Sequence, residues 1–250
     1  MNIQRITQTL LLVLFFAVLS TSPAISQGTL KAGGGIGITS AVSDMNGSTM
    51  EYYNGSRYGL NSGMNILAKG KFGLSGVGLA LELIYSSLSG TGNSEPGQGL
   101  IELTQNVYSI KFGPEIHLPL PGIPLSPYIG ANIAWNRFGG EVLFRGVSKI
   151  ASGTYTVREA SRIGAGMTVG AEIAIAPLIT LDLTTAYNFL NLSGAAWEDV
   201  NPGIDQRVDS YLSLNDRRDP FYSAGDDKHI ISTDRTLDSM HFTVSILFGI

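Results

Sequence analysis

The strongest regularity along the chain has a period of two. In its last stretch Met240, Phe242, Val244, Ile246, Phe248 and Ile250 are all apolar. The residues between them, His241, Thr243, Ser245, Leu247 and Gly249, are mostly polar or small. Side chains alternate across a strand, so this run is a strand with one apolar and one polar face. The same code predicts seven earlier strands, over 28–42, 58–72, 77–88, 104–118, 126–138, 162–175 and 178–192. Between them the connections alternate long and short: 43–57, 73–76, 89–103, 119–125, 139–161, 176–177 and 193–235. Within the third long connection, Thr154-Tyr155-Thr156-Val157 is strand-like and a candidate extension of its hairpin. Pro114 has no amide hydrogen and predicts an irregular point in the ladder. The run Gly33-Gly34-Gly35-Ile36-Gly37 lacks the helix that a nucleotide-binding loop needs, so it reads as the inner wall of a narrow barrel.

The expected fold is all-β: an eight-stranded antiparallel up-and-down barrel. Two environments are compatible with that count. A soluble ligand-binding barrel turns its apolar face inward, and a membrane barrel turns it outward. The aromatic residues decide. Tyr58, Tyr85, Tyr108, Trp135, Tyr187 and Phe189 all fall at the long-loop ends of their strands, as an interfacial aromatic girdle would. Phe72 and Phe248 mark the other rim. Short turns on one side and long loops on the other complete the outer-membrane pattern.

The polar face then becomes a lumen. It carries Lys69, Lys71, Glu82, Lys111, Glu115, Glu172 and Asp182 among glycine, serine, threonine and asparagine. An eight-stranded barrel is just wide enough for its side chains to fill it. Buried charges are normally paired, so these residues predict a lumen-filling ion-pair network in preference to an aqueous pore.

Composition adds boundaries. The 250 residues include no cysteine, which excludes a disulfide framework, a thiolate metal site and a catalytic cysteine. The net charge of −4 argues against nucleic acid as a partner. Arg5, the apolar run 10–19 and Ala24-Ile25-Ser26 form an export signal over 1–26, with the barrel domain over 27–250. No other apolar run is long enough for a membrane helix.

Together, the export signal, the strand start Ser126-Pro127-Tyr128-Ile129-Gly130-Ala131 and the closing alternation 241–250 resemble the OmpA/OmpX/OmpW-like outer-membrane β-barrel family. The resemblance covers the mature chain and is architectural. It implies a place in the outer membrane, lipid as one partner, and a last strand read by the outer-membrane assembly machinery. Phe242, Val244, Ile246, Phe248 and Ile250 would carry that insertion signal. The family usually ends on an aromatic residue, whereas this chain has Phe248 two positions before Ile250. No peptidoglycan-binding domain is expected to follow.

Little chemistry is legible. His117 and His241 face inward by parity but belong to opposite ends of the barrel, and no nucleophile–base motif is found, so no enzyme is expected. No cofactor or metal site is expected either. The acidic connection 193–235 has no calcium-loop spacing and reads as a solvated loop. The expected function is a structural or surface-interaction barrel whose long loops meet a surface ligand. The alternative is a narrow porin-like transporter of small or hydrophobic solutes.

Overall fold

The computed structural model describes residues 28–249, apart from Ser75, Pro119, Pro121 and Ile204. The proposed export signal, and Ile250 of the insertion signal, lie outside the described residues. Eight strands follow one another: β1 (Gly28–Val42), β2 (Ser62–Leu74), β3 (Val77–Glu95), β4 (Gln98–His117), β5 (Leu125–Arg145), β6 (Gly153–Ala176), β7 (Ile179–Ser193) and β8 (Asp238–Gly249). They form a closed barrel in chain order, and every neighbouring pair is antiparallel. β8 pairs with β1 from Val42↔Asp238 to Lys31↔Gly249, which removes both sheet edges.

The alternation places side chains as expected through the middle of the barrel. Ile36, Met64, Leu81, Phe112, Ile133, Met167 and Val244 point outward, while Asn65, Lys69, Ser109, Lys111, Asn136, Asp182 and Thr243 are buried inside. Pro114 falls where the ladder between β4 and β5 is interrupted, between Phe112↔Ile133 and Glu115↔Gly130. Inward glycines let the backbones close tightly. A Cβ on Gly33 would lie 1.9 Å from the Ile246 carbonyl oxygen, and one on Gly170 would lie 2.3 Å from the ring of Tyr128.

The strands differ in reach more than the sequence pattern suggests. β3 to β6 have 19, 20, 21 and 24 residues, whereas β8 has 12 and β2 has 13. A tilted strand needs only about 9–11 residues to cross the hydrocarbon layer. The four long strands therefore continue beyond the membrane. The expected loop at 89–103 is instead a continuation of the β3–β4 hairpin, turning at Pro96-Gly97. Most of 139–161 similarly extends β5 and β6, including the Thr154–Val157 piece.

Above the membrane the code inverts. On β4, Ile101, Leu103 and Val107 are buried inside, with Glu102, Thr104 and Asn106 outside; below Tyr108 the polar side chains Ser109, Lys111 and Glu115 turn inward. On β5 the switch falls between Phe138, buried inside, and Asn136, also inside but polar. The reason is the change of solvent. Water surrounds the upper wall, so the apolar face belongs inside there, while lipid surrounds the lower wall.

β1, β2, β7 and β8 stop near the membrane, and their connections fill the space beside the upper wall. The first, 43–61, holds a 3-10 turn at Ser43–Met45 and the short helix α1 (Thr49–Tyr53), which Ser48 and Glu51 cap reciprocally. The last, 194–237, holds a 3-10 turn at Arg207–Tyr211. Met45, Tyr52, Tyr58, Tyr211, Leu214, Ile230 and Ile231 join Ile101, Phe138 and Phe144 of the wall in one apolar core. The expectation of a solvated acidic loop is therefore corrected: the middle of 194–237 is a packed lid on the barrel mouth.

Candidate functional site

The lumen brings all seven charged residues of the polar face together. Register explains how. Glu82 of β3 stands opposite both Lys69 of β2 and Lys111 of β4, and Glu172 of β6 stands opposite Asp182 of β7. β2 faces β6 and β7 across the barrel, so lysines meet carboxylates through the lumen. Lys69 Nζ lies 2.8 Å from Glu82 Oε1 and 2.8 Å from Asp182 Oδ2. Lys71 Nζ lies 3.0 Å from Glu115 Oε2, 2.9 Å from Glu172 Oε1 and 3.3 Å from Asp182 Oδ2. Lys111 Nζ donates to Asn188 Oδ1 at 2.5 Å.

Two members were missed by the sequence reading. Lys31 of β1 pairs with Glu172. With it the described residues place four lysines and four carboxylates in the lumen; Lys31, Lys69 and Lys71 pair with carboxylates, and Lys111 bonds Asn188 instead. Tyr128 lies almost wholly buried against Gly170; its hydroxyl donates to Asp182 Oδ1 at 2.7 Å, and Lys71 sits 3.8 Å above its ring centre. Parity was the signal for both. Lys31 alternates with Gly33 and Gly35, and Tyr128 with Gly130 and Asn132. A cavity of about 10 Å³ remains beside Glu82, Lys111, Asn132 and Thr168; that is room for about one water.

Glu115, His117 and Glu172 are the one grouping with metal-ligand spacing among the described residues. Lys71 already puts an ammonium between the two carboxylates. A metal ion would have to displace it, so the residues do not fit a metal centre. His117 and His241 do lie at opposite ends of the lumen, His117 against the Tyr128 ring and His241 beside Ser239.

Of the residues expected at strand ends, Tyr187 and Phe189 lie near the outer end of β7, whereas Tyr85, Tyr108 and Trp135 stand mid-strand, around the rim where the inner wall turns apolar, because β3, β4 and β5 run on past them. Tyr85 and Tyr108 are cross-strand partners with ring centres 4.9 Å apart, and Tyr187 and Phe189 lie 5.0 Å apart. Trp135 is exposed on the same rim. Tyr58 is a correction. Gly59 takes a left-handed φ of +64°, and β2 starts only at Ser62, so Tyr58 belongs to the first lid segment. It is 5% exposed, donates to the Leu214 carbonyl at 2.8 Å and stacks under Arg235 at 4.0 Å. In the closing strand, Phe242, Val244, Ile246 and Phe248 all face lipid.

The lid has its own polar anchors, which no sequence motif announced. Arg162, at the top of the polar lumen, makes a forked contact with Asp216 at 2.9 and 2.7 Å. Asn191 and the Ala196 amide also donate to Asp216, each at 2.9 Å. Burial pushes the Asp216 carboxyl up, but these donors outweigh it and hold it below the usual aspartate value. Nearer the surface, His229 lies 2.9 Å from Asp219, 3.3 Å from Asp205 and 3.9 Å from Asp226. Burial lowers the imidazole, yet the Asp219 hydrogen bond and the surrounding carboxylates leave it raised.

Among solved structures, three similar chains illustrate the likeness. Neisserial surface protein A is 12% identical, with a TM-score of 0.48, 88% of this chain covered and 96% of that one. OprG of Pseudomonas aeruginosa is 9% identical, with a TM-score of 0.47 and coverage of 90% and 96%. A major outer membrane protein of Thermus thermophilus is 11% identical, with a TM-score of 0.49 and coverage of 89% and 99%. No curated protein matches the chain. The family model described as "Outer membrane protein beta-barrel domain" matches residues 9–206. With a closed eight-stranded barrel, lipid-facing apolar residues and that match over most of its length, the chain belongs to the outer-membrane β-barrel family and is an outer-membrane protein.

Proposed function

We propose that this protein is a closed-lumen barrel that anchors a packed extracellular cap and presents it to partners at the cell surface. The observation that carries this reading is the ion-pair network spanning the lumen, where the cavity against Glu82 and Lys111 measures about 10 Å³. Opening a path would strand buried charges, and leaving one such charge unpaired costs about 3–5 kcal/mol. The packed lid supports the same reading from the outer side. This reading assigns the protein no enzymatic reaction. The test is conductance. Purified, refolded protein in a planar bilayer is expected to give no steady current, and reproducible single-channel steps would replace this reading with the narrow transporter.

A further inference from the structure

Beneath the lid one buried charge meets no counter-charge. Arg235 is 5% exposed. Its Nη2 donates to the Leu214 carbonyl at 3.3 Å and to the Asn215 carbonyl at 2.6 Å, and the guanidinium lies 4.0 Å above the Tyr58 ring. Its Nε is buried and, among the described residues, bonds nothing. The acids of the surrounding lid are engaged elsewhere. Asp216 is held by Arg162, Asn191 and the Ala196 amide, Asp44 accepts from Thr236, and Asp234 pairs with Arg217 at the surface. Carbonyl dipoles and one ring solvate the guanidinium but do not neutralise it, and a charge taken out of water without a counter-ion is costly.

Arg235 lines a cavity of about 30 Å³, and among the described residues it is the only charged side chain there. One water needs roughly 10–15 Å³, so this space suits about two waters or a single halide-sized ion. Most hydroxyls around it have given their hydrogens away. Tyr58 donates to the Leu214 carbonyl, Tyr211 to the Tyr53 carbonyl, Ser210 to the Lys228 carbonyl and Ser213 to Glu198. Tyr52 of α1 is the exception: among the described residues its hydroxyl donates to no group. Burial pushes the Tyr52 phenol far up, so it stays protonated and keeps a hydrogen to give. A metal cation would meet an arginine and no carboxylate here, and water would leave the charge unbalanced.

We propose that this cavity binds one small monovalent anion of halide size, such as chloride, between Arg235 and Tyr52. The ion neutralises the guanidinium and joins the two lid segments, since Tyr52 belongs to the first connection and Arg235 to the last. Bound only by the folded lid, it stabilises the lid by mass action. The site holds whether or not the lumen conducts.

The test uses the whole protein in lipid nanodiscs. The native protein is expected to broaden the chloride NMR line, and bromide should compete the broadening away. Tyr52→Phe keeps the ring on Tyr211 and removes one donor, so it should weaken chloride binding roughly ten-fold, the loss of about one hydrogen bond to a charged group. Arg235→Gln should abolish binding. Hydrogen exchange over 210–214 should slow when chloride replaces gluconate at constant ionic strength, in the native protein and not in Arg235→Gln. Crystals soaked in bromide should show an anomalous peak within hydrogen-bonding distance of Arg235 Nε, a readout that needs no variant and stands if Arg235→Gln fails to fold. Water alone in that cavity, an unbroadened chloride line, equal affinity in Tyr52→Phe, or the same exchange in chloride and gluconate would overturn the site.

Discussion

Asp182 is the residue on which the lumen depends most. It accepts from Lys69 and Tyr128 and lies 3.3 Å from Lys71, fully buried. Asp182→Ala leaves these donors facing one another without their shared acceptor. The expected loss is about 3–5 kcal/mol of unfolding free energy, read by urea titration of the refolded barrel. Glu82→Gln should cost less, since Lys69 keeps Asp182. His229 carries a different kind of prediction. Its folded-state value is raised above the ordinary 6.5. Its contribution to lid order is therefore fully present below the unfolded value and is lost as pH rises through the folded one. Proteolytic cleavage within 219–230 should quicken as the medium goes from mildly acidic to alkaline. His229→Gln should flatten that dependence, and an unchanged profile in the variant would remove His229 as the cause.

At the scale of the strand, one rule governs two solvents. Ile133 is 67% exposed on β5, and Glu141, four pairs of residues further along the same face, is exposed above the girdle. The pleat is the same; only the surroundings differ. Ile133→Lys should destabilise the inserted barrel by about 2–4 kcal/mol if it lies near the midplane, whereas Glu141→Lys should change stability little. Equal effects at both positions, measured in the same lipid, would contradict the placement of the membrane edge between them. The strand scale also separates what parity reveals from what it hides. Inward Lys31, Lys69, Lys71 and Lys111 follow from alternation alone. The ends of β3 to β6 do not, because a Gly/Ser-rich hairpin such as 89–103 has the composition of a loop while its backbone keeps pairing. Tyr58 shows the opposite error: an apparent strand start is interrupted by Gly59 in a left-handed turn.

For the whole molecule, closure couples the two ends of the chain. β8 holds both β7 and β1, so a damaged last strand opens two seams at once. We propose that its lipid-facing residues also serve as the insertion signal. Removing 248–250 should reduce the fraction of protein reaching a folded, heat-modifiable form in the outer membrane. Normal assembly of the truncated chain would sink that role.

The chain by itself determined the strand number, the meander order, the lipid-facing stripe and the charged lumen, because each follows from the period-two alternation of side chains across a pleated strand. Tertiary structure alone decided which charges meet, since Lys69 and Asp182 are 113 positions apart and contact only because β2 faces β7 across a closed ring. It also decided that the acidic connection 194–237 is a lid. Its Tyr211, Leu214, Ile230 and Ile231 have no periodicity to announce them. They are buried because four long strands raise an apolar inner wall above the membrane, and water leaves that wall uncovered unless the loops fold onto it.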